Sequence, residues 1–322
     1  MTLPADVQPV APRAPRYAVV VATRNRGERI VPLLESVQAN EERDFEMVIV
    51  DQSTSDVTRR AVEPFLADPR LRYVYSSVPG ASRARNLGIS LTSAPIIVIT
   101  DDDCIVPKHW LSVIARPFQD DPRVGVVFCC VDPVPSTGPG HTPQIRFAES
   151  RTVSTLRTVW KNAYLSLGAG MAIRRTALAD VTGFDELLGP GAVFQAAEDN
   201  DLAWRALVKG WSVYENAEVS VLHDGFRSYD ELRELVKRDF YGVGGTIAKY
   251  LKSGHWQISS LLFSWMFRFG VMEPVRDLLA RRYPRGFRRP YMLLRGLVDG
   301  LRTPVDSATI RYRKRDAGRG PD

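Results

Sequence analysis

Residues 94–103 of this 322-residue chain read APIIVITDDD, an apolar run that ends in three adjacent carboxylates. β-Branched residues dominate the run, which is typical of a buried strand in a parallel sheet. Open α/β sheets bind their ligands at the carboxyl ends of the strands. The triplet Asp101, Asp102 and Asp103 is therefore predicted to lie at a ligand-binding edge, where a metal-bound diphosphate fits.

Strand-like and helix-like segments alternate around this run, from residue 17 to about residue 131. Short apolar runs predict strands at 17–22, 45–50, 71–76, 96–100 and 124–129. Segments with apolar residues at helical spacing separate them, at 28–38, 56–66, 81–91 and 108–118. A βαβ series of this kind predicts an α/β protein with a Rossmann-like, mostly parallel sheet flanked by helices.

The composition is that of an ordinary globular protein, with 44% hydrophobic residues. Its three cysteines are too few for a disulfide framework, and none has the spacing of a zinc site. The first 16 residues are rich in Pro and Ala and lack the basic start and apolar core of a signal peptide. We therefore expect 1–16 to be a disordered tail and the protein to be cytoplasmic.

Positive charge is concentrated in the C-terminal third. After residue 224 the chain carries 20 Lys+Arg against 10 Asp+Glu, which leaves 23 against 27 for the first 224 residues. Residues 229–251 have apolar residues at helical intervals interrupted by three glycines, which predicts a helical pair joined at a glycine break. We expect 17–224 to form the α/β domain and 225–322 a basic helical extension.

Residues 256–272 are strongly apolar and aromatic, but Arg268 interrupts them. They are shorter than the ~20 residues that a spanning helix requires. Together with the Arg-rich stretch 281–295, they predict one of two arrangements. Segment 256–295 either lies at the inner face of a membrane as a peripheral contact with anionic lipid, or packs on the α/β domain or a second subunit. The sequence leaves both open and does not indicate the oligomeric state.

Polar clusters follow the first two predicted strands as well as the fourth. Thr23 and Asn25 come after the first strand, and Asp51 comes after the second. In a parallel sheet these strand ends lie at the same edge as the aspartate triplet. A helix cap or turn is the alternative role for Asp51, but the convergence of three strand ends favours a binding site.

The order of four motifs is similar to that of family 2 glycosyltransferases with the GT-A fold. The motifs are VVVATRN at 19–25, VIVDQS at 48–53, ARNLG at 84–88 and DDD at 101–103, and the resemblance covers roughly residues 17–224. It implies an inverting, metal-dependent transferase that moves a sugar from a nucleotide-diphosphate sugar, with a UDP-sugar as the first expectation. The acceptor would be a saccharide or a lipid-linked molecule, in polysaccharide or glycolipid synthesis.

The resemblance also assigns donor-binding residues. It implies that Thr23, Asn25 and Asp51 hold the base and ribose, and that Arg83 or Arg85 approaches the nucleotide or its phosphates. A guanidinium suits that role because it stays charged and donates to phosphate in bidentate fashion. A solvated helix face is the alternative for both arginines.

The aspartate triplet is the predicted metal site. Three adjacent carboxylates repel one another unless a cation compensates them, and oxygen ligands beside a diphosphate favour Mn²⁺ or Mg²⁺. Because neighbouring strand residues point to opposite sides, we expect Asp101 and Asp103 at the metal and Asp102 at the ribose, with a one-residue offset open. The resemblance implies that His223 completes the metal shell; a structural histidine is the alternative.

A second constellation includes the stretch AAEDNDLAWR at 196–205. It resembles the motif that carries the catalytic base in inverting members of the family, and the matching residue is Asp199. Helix capping is the alternative for carboxylates at a helix start. The glycine-rich segment 167–175 is similar to the family's segment near donor sugar and acceptor, so Gly170 and Glu198 are expected there; a simple turn is the alternative for the glycines.

Two other function classes are weaker. A sugar nucleotidyltransferase normally has a glycine-rich basic loop after its first strand, and residues 23–27 lack that glycine density. A membrane-binding or nucleic-acid-binding module would explain the basic C-terminal third but not the acidic triplet. No pattern of a known nucleic-acid-binding motif is present, and we expect no nucleic-acid partner.

Overall fold

We describe the protein from a computed structural model. The structure describes residues 14–135, 144–156, 167–281 and 287–313. The predicted tail falls almost entirely outside these residues, as does part of segment 256–295.

A mixed, mostly parallel sheet is the centre of the fold, which confirms the predicted class. Within the described residues it has nine strands in the order β3-β2-β1-β4-β8-β6-β9-β5, with β7 paired to β9. The strands are β1 Tyr17–Thr23, β2 Phe45–Asp51, β3 Leu71–Tyr75, β4 Ile96–Asp101, β5 Cys104–Ile105, β6 Val124–Pro133, β7 Arg151–Val153, β8 Met171–Arg174 and β9 Ser212–His223. A separate hairpin pairs β10 Val305–Asp306 with β11 Arg311–Tyr312.

Helices flank the sheet and form the C-terminal region. They are α1 Val31–Gln38, α2 Val57–Val62, α3 Ala81–Ser90, α4 Trp110–Ala115, α5 Pro117–Asp120, α6 Arg175–Asp180, α7 Glu198–Val208, α8 Tyr229–Lys252, α9 Ser259–Phe267, α10 Glu273–Leu279 and α11 Arg288–Arg302. Two large apolar clusters fill the space between helices and sheet. Both faces of the central strands are thereby covered, which is why these strands read as continuous apolar runs.

Strand register brings the predicted polar clusters together. Strand β1 is parallel to both β2 and β4, with Thr23 opposite Asp51 and Ala22 opposite Asp101. Strand β8 lies antiparallel between β4 and β6, the main departure from a simple βαβ series. Strand β9 runs parallel to β6, and its last residue, His223, pairs with Cys104 in β5. The chain therefore returns to the end of the triplet about 120 residues later.

Helix α8 is continuous, so the predicted break at its glycines is wrong. Ser228 caps it with a reciprocal capping box to Glu231. The glycines serve helix packing instead. A Cβ at Gly244 would lie 2.1 Å from the Leu293 carbonyl oxygen on α11, and one at Gly296 would lie 2.0 Å from the Tyr241 carbonyl oxygen on α8. The two helices cross at backbone distance, which only glycine permits here.

A buried ion cluster joins α8 to α7 and to the loop that carries Asp185. Lys249 Nζ lies 2.7 Å from Asp185 Oδ2 and 2.8 Å from Asp201 Oδ1 on α7. Arg205 Nε lies 2.9 Å from Asp201 Oδ2, and the Tyr312 amide donates to Asp185. All four charged side chains are at most 1% exposed. The C-terminal region is thus fixed to the helix that carries Asp199.

Among the described helices, none is both long and apolar enough to cross a membrane. Segment 256–295 nevertheless exposes several large apolar side chains, including Trp256, Phe263, Leu278, Leu279 and Tyr291.

Gly296→Ala should lower the free energy of unfolding by about 2 kcal/mol or more, because the added methyl forces α8 and α11 apart. Gly270→Ala is the matched control, since no heavy atom lies nearer than 4.0 Å to its added Cβ. The control should leave the free energy of unfolding unchanged or raise it by up to about 1 kcal/mol, because alanine has the higher helix propensity. Denaturant unfolding measures both, and equal effects would contradict the close helix crossing.

Candidate active site

A cavity of about 590 Å³ opens at the carboxyl ends of β1, β2 and β4. Its walls come from the loop after β1, the start of α3, the aspartate triplet, the start of α7, the end of β9, and α8 and α9. The predicted site residues that line it are Thr23, Asn25, Arg85, Asp101, Asp102, Asp103, Glu198, Asp199 and His223. One cavity therefore receives groups from both halves of the chain.

Three predicted residues lie outside the lining. Asp51 is buried, accepts hydrogen bonds from both Ser53 and Tyr73, and leaves the adjacent Gln52 to face the cavity. Arg83 on α3 forms an ion pair instead, with its Nε 3.2 Å from Glu186 Oε2. Gly170 packs on Cys129, and Gly168 lines the cavity in its place.

Arg85 holds three carboxylates at the floor of the cavity. Its Nη1 lies 2.9 Å from both Glu198 Oε1 and Asp199 Oδ1, and its Nη2 lies 3.0 Å from Asp101 Oδ1. Its side chain is only 5% exposed. Since both terminal nitrogens are engaged with carboxylates, Arg85 fixes the positions of Asp101 and Asp199 relative to each other.

Asp199 sits in a close-packed, weakly solvated place. Burial raises its pKa, and the adjacent Glu198 carboxylate raises it further against the opposing charge of Arg85. A Cβ on Gly168 would lie 2.5 Å from Asp199 Oδ2, so only glycine allows the backbone this close. Ala197, just before α7, has a left-handed backbone with φ of 71°. Strain of this kind in a non-glycine residue is typical of functional sites.

The aspartate triplet receives most of its compensation from the chain itself. Arg26 Nε lies 2.9 Å from Asp102 Oδ1, and its Nη2 lies 2.9 Å from Asp103 Oδ2. Burial raises the pKa of Asp102 to about 6, although Arg26 opposes the rise. Sequence reasoning did not single out Arg26. Its position in the loop after β1, beside Asn25, was the available signal.

Asp103 and His223 form the part of the site that fits a metal ion. His223 Nε2 lies 3.1 Å from Asp103 Oδ1, an oxygen that has no well-aligned hydrogen bond within the described residues. Burial raises the pKa of Asp103, but its contacts with His223 and Arg26 outweigh this and hold it below its usual range. A Cβ on Gly225 would lie 2.3 Å from the imidazole, so that glycine makes room for the ring.

The third nearby donor is a poor ligand. Cys104 lies within 4.8 Å of the Asp103 and His223 donor atoms. Burial holds the pKa of its thiol well above the usual value, so it stays protonated. A carboxylate oxygen suits both Mn²⁺ and Mg²⁺, and of the two ions Mn²⁺ accepts an imidazole ligand more readily. Asp103 and His223 therefore fit a divalent cation. Arg26 pairs with Asp102 and Asp103, so it would contact some of the same carboxylate groups as the cation.

The first part of the chain matches a known protein family. The model described as glycosyl transferase family 2 matches residues 18–182, about half of the chain. The chain belongs to glycosyltransferase family 2.

Relatives in this family are similar over part of their length. Validoxylamine A glucosyltransferase of Streptomyces hygroscopicus subsp. limoneus is 31% identical over 121 residues, which are 36% of this chain and 27% of that protein. The pre-mycofactocin glycosyltransferase of Mycobacterium tuberculosis is 26% identical over 243 residues, which are 73% of this chain and 47% of that protein. The chain thus matches less than half of the length of either relative.

Solved structures in the comparison share the GT-A fold. The mannosyltransferase PcManGT from Pyrobaculum calidifontis, in complex with GDP-Man and Mn²⁺, aligns with a TM-score of 0.61 at 19% identity, over 93% of this chain and 90% of that chain. A TarS fragment from S. aureus in complex with UDP aligns with a TM-score of 0.53 at 19% identity, over 89% of each chain. This family 2 chain therefore has the expected GT-A architecture.

Arg85→Met should destabilise the protein by about 3 to 5 kcal/mol, because it leaves three carboxylates without their buried cation. Arg83→Met, two residues away, removes only a partly exposed pair and should cost about 1 kcal/mol or less. Chemical denaturation of both variants gives the comparison. Similar losses in the two would show that Arg85 does not hold the carboxylates together.

Proposed function

We propose that this family 2 protein is an inverting, metal-dependent glycosyltransferase that moves a sugar from a nucleoside diphosphate to a hydroxyl of a saccharide or lipid-linked acceptor. The observation that carries the proposal is the shared cavity, which Asp199 lines together with the pair Asp103 and His223. A base for the acceptor and a site for the leaving diphosphate thereby face the same space.

The residues that line the cavity have separate roles in the proposed donor binding and sugar transfer. Thr23, Asn25 and Gln52 lie at the strand ends and contact the nucleoside, with Asp51 and Arg83 supporting that end. Asp199 takes the proton of the acceptor hydroxyl as its oxygen attacks the anomeric carbon. The bond from that carbon to the diphosphate oxygen breaks on the opposite face, the nucleoside diphosphate leaves with the electron pair, and the configuration inverts.

Divalent cation chemistry fits the remaining groups. A cation held by Asp103 and His223, with Asp101 nearby, would neutralise charge on the departing diphosphate. Asp102 would then contact the ribose, and Glu198 the donor sugar or acceptor through the space beside Asp199. Gly170 acts from behind the cavity, where the absence of a side chain lets the 3₁₀ turn that carries Gly168 pack against Cys129.

The donor is proposed to be a UDP-sugar or GDP-sugar. The TarS fragment is described with UDP and with UDP-GlcNAc, and PcManGT with GDP-Man and Mn²⁺.

We assign 17–224 as the catalytic unit and 225–322 as an extension that closes its cavity. Peripheral membrane contact through 256–295 stays a prediction, supported by the exposed apolar side chains; sedimentation with anionic and with zwitterionic vesicles tests it.

UDP or GDP with Mn²⁺ or Mg²⁺ should raise the melting temperature, and EDTA should remove most of the rise. A nucleotide at 100 times its dissociation constant adds ~2.7 kcal/mol, enough to detect by thermal unfolding. Asp103→Ala should lose the metal-dependent part, whereas Asp121→Asn, outside the cavity, should behave like wild type. Absence of protection by UDP, GDP, dTDP and CMP under all conditions would overturn the proposed donor class.

Asp199→Asn should lower turnover by about 100-fold to 10,000-fold while nucleotide affinity stays unchanged, because only proton abstraction is lost. The wild-type rate should rise with pH through a midpoint above the ordinary carboxylate range, since burial raises the pKa of Asp199 and the base acts when ionised. Steady-state kinetics with a fixed donor measures both. Full turnover in the variant would exclude Asp199 as the base.

A further inference from the structure

One wall of the catalytic cavity comes from beyond the residues that the family model matches. Leu235, Arg238, Asp239 and Val243 line it from α8, and Trp265 lines it from α9. The four α8 residues have the spacing i, i+3, i+4 and i+8, so a single face of the helix looks into the cavity. This wall combines a carboxylate, a guanidinium and apolar surface within the space that also contains Asp199.

Asp239 differs from the other carboxylates that line the cavity. The remaining five each lie within 3.0 Å of an arginine nitrogen: Asp101, Asp102, Asp103, Glu198 and Asp199. Asp239 is partly buried, and no described residue donates a hydrogen bond to it or forms an ion pair with it. Burial raises its pKa to about 6, with only a weak opposing influence of the neighbouring Arg238. A partly buried carboxylate that faces a cavity and has no partner among the described residues is a candidate for ligand binding.

We infer that this face of α8 and α9 is the acceptor subsite, in which Asp239 accepts hydrogen bonds from hydroxyls of a neutral pyranoside. The inference rests on the proposed function and deepens it. Arg238 donates to ring or hydroxyl oxygens, and Leu235, Val243 and Trp265 contact the C–H surface of the sugar. Pockets with mostly apolar walls and a few placed polar groups are typical of small-molecule recognition.

The charge of the wall selects this ligand class over an anionic one. A phosphate or a uronate would meet arginine at Arg238 but would be repelled by Asp239 one residue away. A neutral polyol offers donors to the carboxylate and acceptors to the guanidinium at the same time. A site built to bind a hydroxyl also rejects the analogue that lacks it, because the partly buried carboxylate is then left without a partner.

The test is transfer from the donor that protects the wild type to a panel of methyl pyranosides and their monodeoxy analogues. Asp239→Asn should lower kcat/KM for the best pyranoside by about 30-fold, the loss expected for a hydrogen bond to a charged group. Nucleotide affinity should not change. Removal of the hydroxyl that binds Asp239 should cost the wild type as much as the substitution does and should cost the variant little more.

Asp230→Asn is the matched control. Asp230 lies on the same helix, its side chain is 92% exposed, and it pairs with Arg233. It should leave kcat and KM unchanged. Thermal unfolding at pH 8 gives an independent readout: Asp239→Asn should raise the melting temperature, because the ionised carboxylate is less favourable in the folded state, whereas a purely structural aspartate would lower it on substitution.

Several results would overturn the subsite. They are wild-type kinetics in Asp239→Asn, an equal loss in the Asp230 control, or nucleotide binding by the wild type without transfer to any pyranoside. Failure of the wild type to bind any nucleoside diphosphate would be distinct, since it removes the proposed function itself.

Discussion

The buried guanidinium of Arg85 is the contact on which the assembled site depends. It joins α3, the end of β4 and the start of α7 through Asp101, Glu198 and Asp199. These residues are separated by up to 114 positions in the chain. Removing charges from water costs several kcal/mol for each ion, and only a closely paired geometry offsets that cost. The pairing therefore holds only when both halves of the sheet are in place, so formation of the fold and formation of the site are the same event.

A second buried cluster extends this dependence to the C-terminal region. Lys249 on α8 lies between Asp185 and Asp201, and Asp201 lies two residues after Asp199 on α7. Displacement of α8 would leave Asp185 buried without its cation and Asp201 with Arg205 alone. The orientation of α7 is thus fixed from one side by Arg85 and from the other by Lys249. This explains how a helix outside the family match contributes a wall to the catalytic cavity at a defined position.

Local patterns were sufficient to predict β1, β2, β3, β4 and β6 and the convergence of Thr23, Asp51 and the aspartate triplet. The apolar runs mark buried strands, and parallel pairing brings their carboxyl ends to one edge whatever the helices do. The antiparallel insertion of β8 was not predictable, because a four-residue strand has no periodicity that indicates its direction. The continuity of α8 was missed for a related reason. Its glycines weaken an isolated helix, and only the approach of α11 shows what they are for.

The site residues also differ in whether local sequence patterns or tertiary contacts determine their positions. Asp199 and His223 both line the cavity, because they lie at the ends of regular elements. Arg83 and Arg85 are both on α3 and look equivalent in sequence, yet one faces Glu186 and the other faces the cavity floor. Arg26 has only its position beside Asn25 as a local signal, and Asp239 has none. Their roles arise from contacts with residues far along the chain or from the absence of such contacts.

Charge balance in the cavity gives a physical reason for a divalent cation. Six carboxylates line the cavity (Asp101, Asp102, Asp103, Glu198, Asp199 and Asp239), and so do six arginines (Arg24, Arg26, Arg29, Arg85, Arg227 and Arg238). The formal charges cancel before any ligand is bound. A nucleoside diphosphate adds about two negative charges to a region of low dielectric, where uncompensated charge is most costly. Arg85 cannot bind the diphosphate without losing its ion pairs with Asp101 and Asp199. Arg26 cannot bind it without leaving the neighbouring carboxylates of Asp102 and Asp103 without their cation. A divalent cation held by Asp103 and His223 would restore the balance while both arginines keep their partners, which is a physical argument for the proposed metal dependence.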